Sequence, residues 1–165
     1  MREQKDKGPA LTRRAFIKSA GAACAVLFMA GSLPSLVKPA FGAPKEEGIN
    51  DVLKRQFGSK KVSMSNVDIK APIIAEDGAV VPITITSDLP MRSDDYVKKI
   101  NIYAEGNLQP FVAGIDLTPA NGKAEFAMRI KMRKTSNIRV VLETSKGKLY
   151  GATKPVKVTI GGCGG

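Results

Sequence analysis

The stretch Ala124-Glu125-Phe126-Ala127-Met128-Arg129-Ile130-Lys131-Met132 places an apolar residue at every even position and its charges at odd ones. A period of two is what a β-strand produces, because successive side chains point to opposite faces of a sheet; a helix has a period of 3.6. The same reading holds, less cleanly, for Val80–Thr86 and Val97–Ala104, the latter with Ile100, Ile102 and Ala104 on one face. It extends to Phe111–Leu117, Asn137–Glu143, Lys148–Ala152 and Val156–Ile160. Turn-forming pairs separate these runs: Asp77-Gly78, Ser87-Asp88, Glu105-Gly106-Asn107, Asn121-Gly122 and Lys146-Gly147. About seven short strands at this spacing predict an all-β, immunoglobulin-like β-sandwich. One helix precedes them. Ile49, Val52, Leu53 and Phe57 share a face over Glu46–Phe57, and Gly58 ends the pattern, so the spacing predicts an amphipathic cap packed on the domain. No internal repeat and no second domain are visible.

The N-terminal 42 residues follow different rules. Thr12-Arg13-Arg14-Ala15-Phe16-Ile17-Lys18 matches the twin-arginine export pattern. The apolar stretch Ser19–Val37 is interrupted by Gly21, Gly31 and Pro34, and Ala40-Phe41-Gly42 has the small-x-small form of a cleavage site. A spanning helix needs about 20 mostly apolar residues, so this is a signal segment and not a membrane anchor. The reading divides the chain into a cleaved twin-arginine signal peptide (1–42, with Arg13 and Arg14 as its signature), a sandwich domain with its helix (43–160) and a C-terminal arm (161–165). Export by the twin-arginine pathway places the mature chain in the periplasm.

That cut changes the charge argument. The whole chain carries +11, but residues 1–42 hold seven of its 26 basic and two of its 15 acidic residues, which leaves +6 on the remainder. A moderate excess can steer anionic partners or small oxyanions. There is no aromatic interleaving and no nucleic-acid motif, so nucleic acid is not an expected partner. Arg129, Lys131, Arg133 and Lys134 read as a solvated face. Met64, Met128 and Met132 read as core or interface fillers.

Cys24 lies inside the signal segment, with Gly21 where a lipoprotein signal would have an aliphatic residue. Cleavage leaves one cysteine, Cys163, in the closing run Gly161-Gly162-Cys163-Gly164-Gly165. An odd cysteine in an exported chain excludes an internal disulfide framework and indicates a reactive thiol or an intermolecular pair. Glycine adds no side chain to a core, so the run reads as a flexible arm that packs against nothing. Extended, five residues span roughly 17 Å. The chain has no histidine, which removes imidazole-dependent triads and the commonest zinc and copper sites. One cysteine cannot form a CxxC pair or a four-thiolate metal site, and no phosphate-binding loop joins a strand to a helix. No cofactor and no catalytic residue is expected; the remaining chemistry is Cys163 as a covalent attachment point.

The export signal, the stretch Ala71-Pro72-Ile73-Ile74-Ala75-Glu76-Asp77-Gly78-Ala79-Val80-Val81-Pro82-Ile83, the segment Val156-Lys157-Val158-Thr159-Ile160 and the Gly161–Gly165 ending together resemble the SoxY sulfur-carrier subunit of bacterial thiosulfate oxidation. The resemblance implies a carrier, not an enzyme. It implies that Cys163 holds sulfur intermediates as an S-linked thiosulfonate, with Gly161, Gly162, Gly164 and Gly165 as its arm. It further implies a heterodimer with a SoxZ-like subunit, a c-type cytochrome enzyme that couples thiosulfate to the thiol, and a manganese hydrolase that releases sulfate. In some organisms a molybdenum sulfane dehydrogenase follows. Two rivals compete with this. A ubiquitin-like carrier loads sulfur on a terminal glycine, here Gly165, but needs ATP, which export withholds. An exported structural module with an intermolecular disulfide explains Cys163 but not its four glycine neighbours.

Overall fold

The computed structural model describes residues 46–162. The signal segment with Arg13 and Arg14, and the last three residues, lie outside them. Helix α1 (Ile49–Phe57) is followed by ten strands: β1 (Val62–Ser63), β2 (Asp68–Lys70), β3 (Ile74–Asp77), β4 (Val81–Ser87), β5 (Met91–Arg92), β6 (Asp95–Ala104), β7 (Phe111–Asp116), β8 (Ala124–Ile130), β9 (Ser136–Thr144) and β10 (Leu149–Ile160). The larger sheet runs β1-β10-β9-β6-β5, with β7 also on β6 and β3 also on β10. The smaller sheet runs β2-β4-β8. The fold is the immunoglobulin-like sandwich that the period-two runs predict.

The main core lies between the sheets. Ile83 and Ile85 of β4 and Ile130 of β8 meet Ile100, Ile102, Ile138, Val140 and Leu142 of β6 and β9. Burying each such side chain stabilises the fold by about 1.5–3 kcal/mol. On β8 the even residues face inward, and Glu125, Ala127 and Arg129 are exposed. The alternation is lost on β6, where Ile100 through Ala104 are all buried. Both faces of that strand are covered, one by the smaller sheet and the other by α1, and burial on two faces erases the period.

Helix α1 packs through Ile49, Val52, Leu53 and Phe57 against a second cluster containing Tyr103, Val141 and Leu149. The predicted face is the one it buries. Gly58 takes φ +64°, which glycine adopts without a Cβ penalty, and its N–H caps Lys54. A polar strap lies beneath: Gln56 accepts from the Tyr103 hydroxyl at 2.6 Å and donates to Asn101 Oδ1 at 2.8 Å. Burial raises the Tyr103 pKa well above the usual phenol range, so the hydroxyl stays a donor.

The structure differs from expectation in three places. The helix starts at Ile49, not Glu46. Four strands of two to four residues (β1, β2, β3, β5) escape a periodicity reading because they are too short to show a period. The predicted strands 148–152 and 156–160 are one strand of twelve residues, β10. Pro155, which cannot donate to a ladder, lies inside it. It is tolerated because β1 pairs with β10 only at Leu149 and Tyr150, and β3 only from Lys157 onward. Pro155 sits in the gap between those two parallel neighbours.

Candidate functional site

Strand β10 leads directly into the terminal run, and the way it ends determines where that run departs. Its pairing with β9 stops at Val156, opposite Ser136. Beyond that point β3 supplies a parallel neighbour, with Lys157 opposite Ile74, Val158 opposite Ala75 and Ile160 opposite Asp77. On the side β9 has left, a side chain replaces the missing strand. Thr135 Oγ1 accepts from Val158 N–H at 2.9 Å and donates to Val158 C=O at 3.2 Å. A threonine hydroxyl carries one donor and two acceptor positions, so it can serve both groups of one peptide partner.

Three backbone segments then converge: the turn after β3, the bend after β8 and the end of β10. Gly78 N–H donates to Ile160 C=O at 2.7 Å, and Gly78 C=O accepts from Met132 N–H at 2.7 Å. Met132 C=O in turn accepts from Gly162 N–H at 3.1 Å. Met132 thus bonds on one side to the turn and on the other to the arm, while its own side chain is fully buried in the core. The turn is closed by Asp77 Oδ1, which accepts from Ala79 N–H at 2.7 Å.

This convergence requires glycine through close approach, not through positive φ. A Cβ on Gly78 would run into the Met132 carbonyl and lie 2.8 Å from both Gly162 N and Val158 Cγ1. One on Gly162 would lie 2.7 Å from Gly78 O, and one on Gly161 would run into the Arg133 carbonyl. Gly162 is buried and Gly161 exposed. The expectation that the whole arm packs against nothing therefore fails at its first two residues: Gly161 and Gly162 lie against the domain. Cys163, Gly164 and Gly165 are outside the described residues.

The bend after β8 is itself held. Asn107, buried in the Glu105–Asn107 turn, donates through Nδ2 to Lys131 C=O at 2.9 Å and accepts through Oδ1 from Arg133 N–H at 2.9 Å. Flipping the amide would oppose donor to donor and acceptor to acceptor, so its orientation is fixed by its partners. That turn is anchored to β9, where the Glu105 carboxylate accepts from Asn137 Nδ2 at 2.9 Å and Arg139 Nε at 2.7 Å.

Around this root the surface is mixed. Ile73, Ile74, Val80 and Ile160 are exposed, and all four belong to the segments that meet there. Arg133 donates to the Glu46 carboxylate at 2.7 Å, with Lys134 at 3.8 Å. The hydrogen bond from Arg133 first, and the two positive charges after it, hold the Glu46 carboxyl below its ordinary value. Arg129 and Lys131 are exposed on and just after β8, as the solvated-face reading expects. Met132 is core, Met128 half-buried and Met64 exposed. Among the described residues no three His, Cys, Asp or Glu side chains are placed to hold a metal, and no helix is long and apolar enough to cross a membrane.

Sequence reasoning identified the terminal glycines but missed Asn107, Gly78, Met132 and Thr135. Asp77-Gly78 and Glu105-Gly106-Asn107 read only as turns. The one local signal was the departure from period two at Arg133-Lys134, which marks a bend but not its partner.

The arrangement is a protein body that ends in a backbone-bonded root, one residue before a cysteine. Among the described residues the root holds no acid–base pair; what the arrangement can do is present a group to another protein. A family model described as "Sulfur oxidation protein SoxY" matches residues 53–163, a span that reaches the cysteine. The sulfur carrier protein SoxY from Chlorobium limicola f thiosulfatophilum is similar in structure with 40% identity and a TM-score of 0.57. That match covers 67% of this chain and 96% of that one. A superoxide reductase (neelaredoxin) from Ignicoccus hospitalis matches with 16% identity and a TM-score of 0.51, over 57% of this chain and 80% of that one, a likeness of fold alone. A search among curated proteins finds no match.

Proposed function

This chain belongs to the SoxY family of sulfur oxidation proteins, and from that premise we propose that it is a periplasmic sulfur carrier whose Cys163 covalently holds thiosulfate-derived sulfur. The observation that carries the reading is the family match running through residue 163, with the cysteine flanked by two glycines on each side. In this reading the chain is a substrate of other enzymes and catalyses nothing itself.

The chemistry follows from the thiol. A thiolate is a strong nucleophile toward sulfur. Joining the Cys163 thiolate to the sulfane sulfur of thiosulfate forms one S–S bond and releases two electrons. A c-type cytochrome partner accepts them. Water then attacks the terminal sulfonate on a manganese hydrolase. The S–SO₃ bond breaks, sulfate and two protons leave, and a persulfide anion remains on Cys163. A molybdenum sulfane dehydrogenase is a further partner for that persulfide. The chain pairs with a SoxZ-like subunit through an apolar face of the sandwich. Residues 1–42 act as a twin-arginine signal and are removed, and twin-arginine export accommodates a pair that folds before crossing.

The test is intact-mass and peptide mass spectrometry of the mature protein after thiosulfate and the coupling enzyme. The expected result is a thiosulfate adduct on the Cys163 peptide, absent in Cys163→Ser. Modification at Gly165 alone, or a disulfide-linked dimer as the sole product, would sink the carrier reading.

A further inference from the structure

The carrier reading leaves Asn107 unused, although it is a buried polar side chain whose carboxamide is spent on one bend. Buried polar groups are bonded, and most are bonded locally or within a ladder. Asn107 instead reaches 24 residues along the chain to Lys131 and 26 to Arg133, using one donor and its acceptor on two residues that flank Met132. In this it imitates an adjacent strand. Met132 sits between those two bonds and makes two of its own, its N–H to Gly78 and its carbonyl from Gly162. Four segments separated by up to 84 residues are therefore joined through a single peptide neighbourhood, and the terminal member is the residue before Cys163.

We propose that Asn107 is a positioning residue for the carrier arm. Its carboxamide fixes the Lys131–Arg133 bend, the Met132 carbonyl on that bend holds Gly162, and the chain leaves the domain from a set point. This deepens the carrier reading and rests on it for its purpose. The mount itself stands on bonds among described residues. Gly161 and Gly162 are then glycines of close approach: their missing Cβ atoms let the chain lie against Arg133 and Gly78. The link between the fixed domain and the cysteine shortens from the two glycines read in the sequence, three steps from Ile160, to a single step of about 3.8 Å between Cα atoms.

Backbone amide hydrogen exchange on the full mature chain tests this without thiosulfate or partner enzymes, so a failed mount and a failed carrier reading are told apart. In the unsubstituted protein the Gly162 and Arg133 amides are expected to exchange at least about tenfold more slowly than unbonded amides of the same sequence. In Asn107→Ala the Gly162, Arg133 and Met132 amides should speed up by about tenfold or more, while Ile102 and Val140 in the core stay within about twofold. Asn107→Asp keeps the acceptor for Arg133 N–H and loses the donor to Lys131, so it should fall between the two. An unsubstituted protein whose Gly162 amide exchanges at the unbonded rate overturns the proposal, and this needs no variant to fold. So does an Asn107→Asp chain in which core and root amides accelerate together, since that is the mark of a residue that only stabilises the domain.

Discussion

The two halves of β10 are held by different physics. From Leu149 to Val156 the strand lies beside β9, and its buried members, Leu149 and Val156, join apolar clusters. From Lys157 to Ile160, and on into Gly161 and Gly162, the β9 ladder is gone, several side chains are exposed, and the hold passes to backbone hydrogen bonds, one threonine hydroxyl and three glycines without Cβ atoms. The first half gains stability by excluding water from side chains. The second gains position by bringing main chains close. One strand thus serves a core at one end and a site at the other, and changes at the two ends should be separable.

The largest separation is expected from Cys163→Ser. It should abolish thiosulfate-dependent turnover in a reconstituted system and leave the melting temperature unchanged. Near-normal turnover would place the chemistry elsewhere. At the opposite end of the comparison, Ile102→Ala removes a fully buried side chain from the shared core. It should lower unfolding free energy by about 2–5 kcal/mol in denaturant titration, with the rate of Cys163 alkylation in the folded protein unchanged. A parallel change in alkylation would mean that core and root are coupled.

Gly78→Ala tests the root directly. Its new methyl meets the Met132 carbonyl and Gly162 N, so a loss of roughly 1–3 kcal/mol is expected, together with faster amide exchange at Gly162. If the loss occurs with Gly162 exchange unaltered, close approach is not what ties the arm.

The smallest effect concerns Glu46, an exposed group near the bend. Its folded pKa is lowered, chiefly by the hydrogen bond from Arg133. A lowered carboxyl pKa contributes stability that is present above the unfolded value, about 4.3, and fades as pH falls through the folded one. An NMR titration should give Glu46 a midpoint below an ordinary glutamate, and Arg133→Gln should move it back up. A midpoint indifferent to Arg133 would remove this ion pair from the description of the root.

How much of this was legible in the sequence follows from the range of each interaction. Alternation at Ala124–Met132 and at Ile100, Ile102 and Ala104 is local, and it gave the strands and their inward faces. The helical face of Ile49, Val52, Leu53 and Phe57 was legible for the same reason. Residues 148–152 and 156–160 read as two strands, and they are one because the gap between β1 and β3 on β10, which accommodates Pro155, is a tertiary fact. The terminal cysteine and its glycines stood out by composition. What glycine is for did not. The same residue serves mobility and close packing, and only the Met132 and Arg133 carbonyls show which applies to Gly161 and Gly162. Asn107 was invisible because its partners lie more than twenty residues away and impose no pattern on its neighbours.

The bond from Gly162 to Met132 has a kinetic meaning. A tethered reactant searches a volume set by its free link, and a shorter link concentrates it near its root. Under the proposed carrier role, the free link to the sulfur is counted from the bonded Gly162, which lies against Gly78 and Ala79. In that proposal an enzyme that acts on the sulfur brings its own cleft to this surface. The proposal makes selection among partners depend on the shape of the domain around the root, with encounter a collision between two bodies and not a search by a long thread.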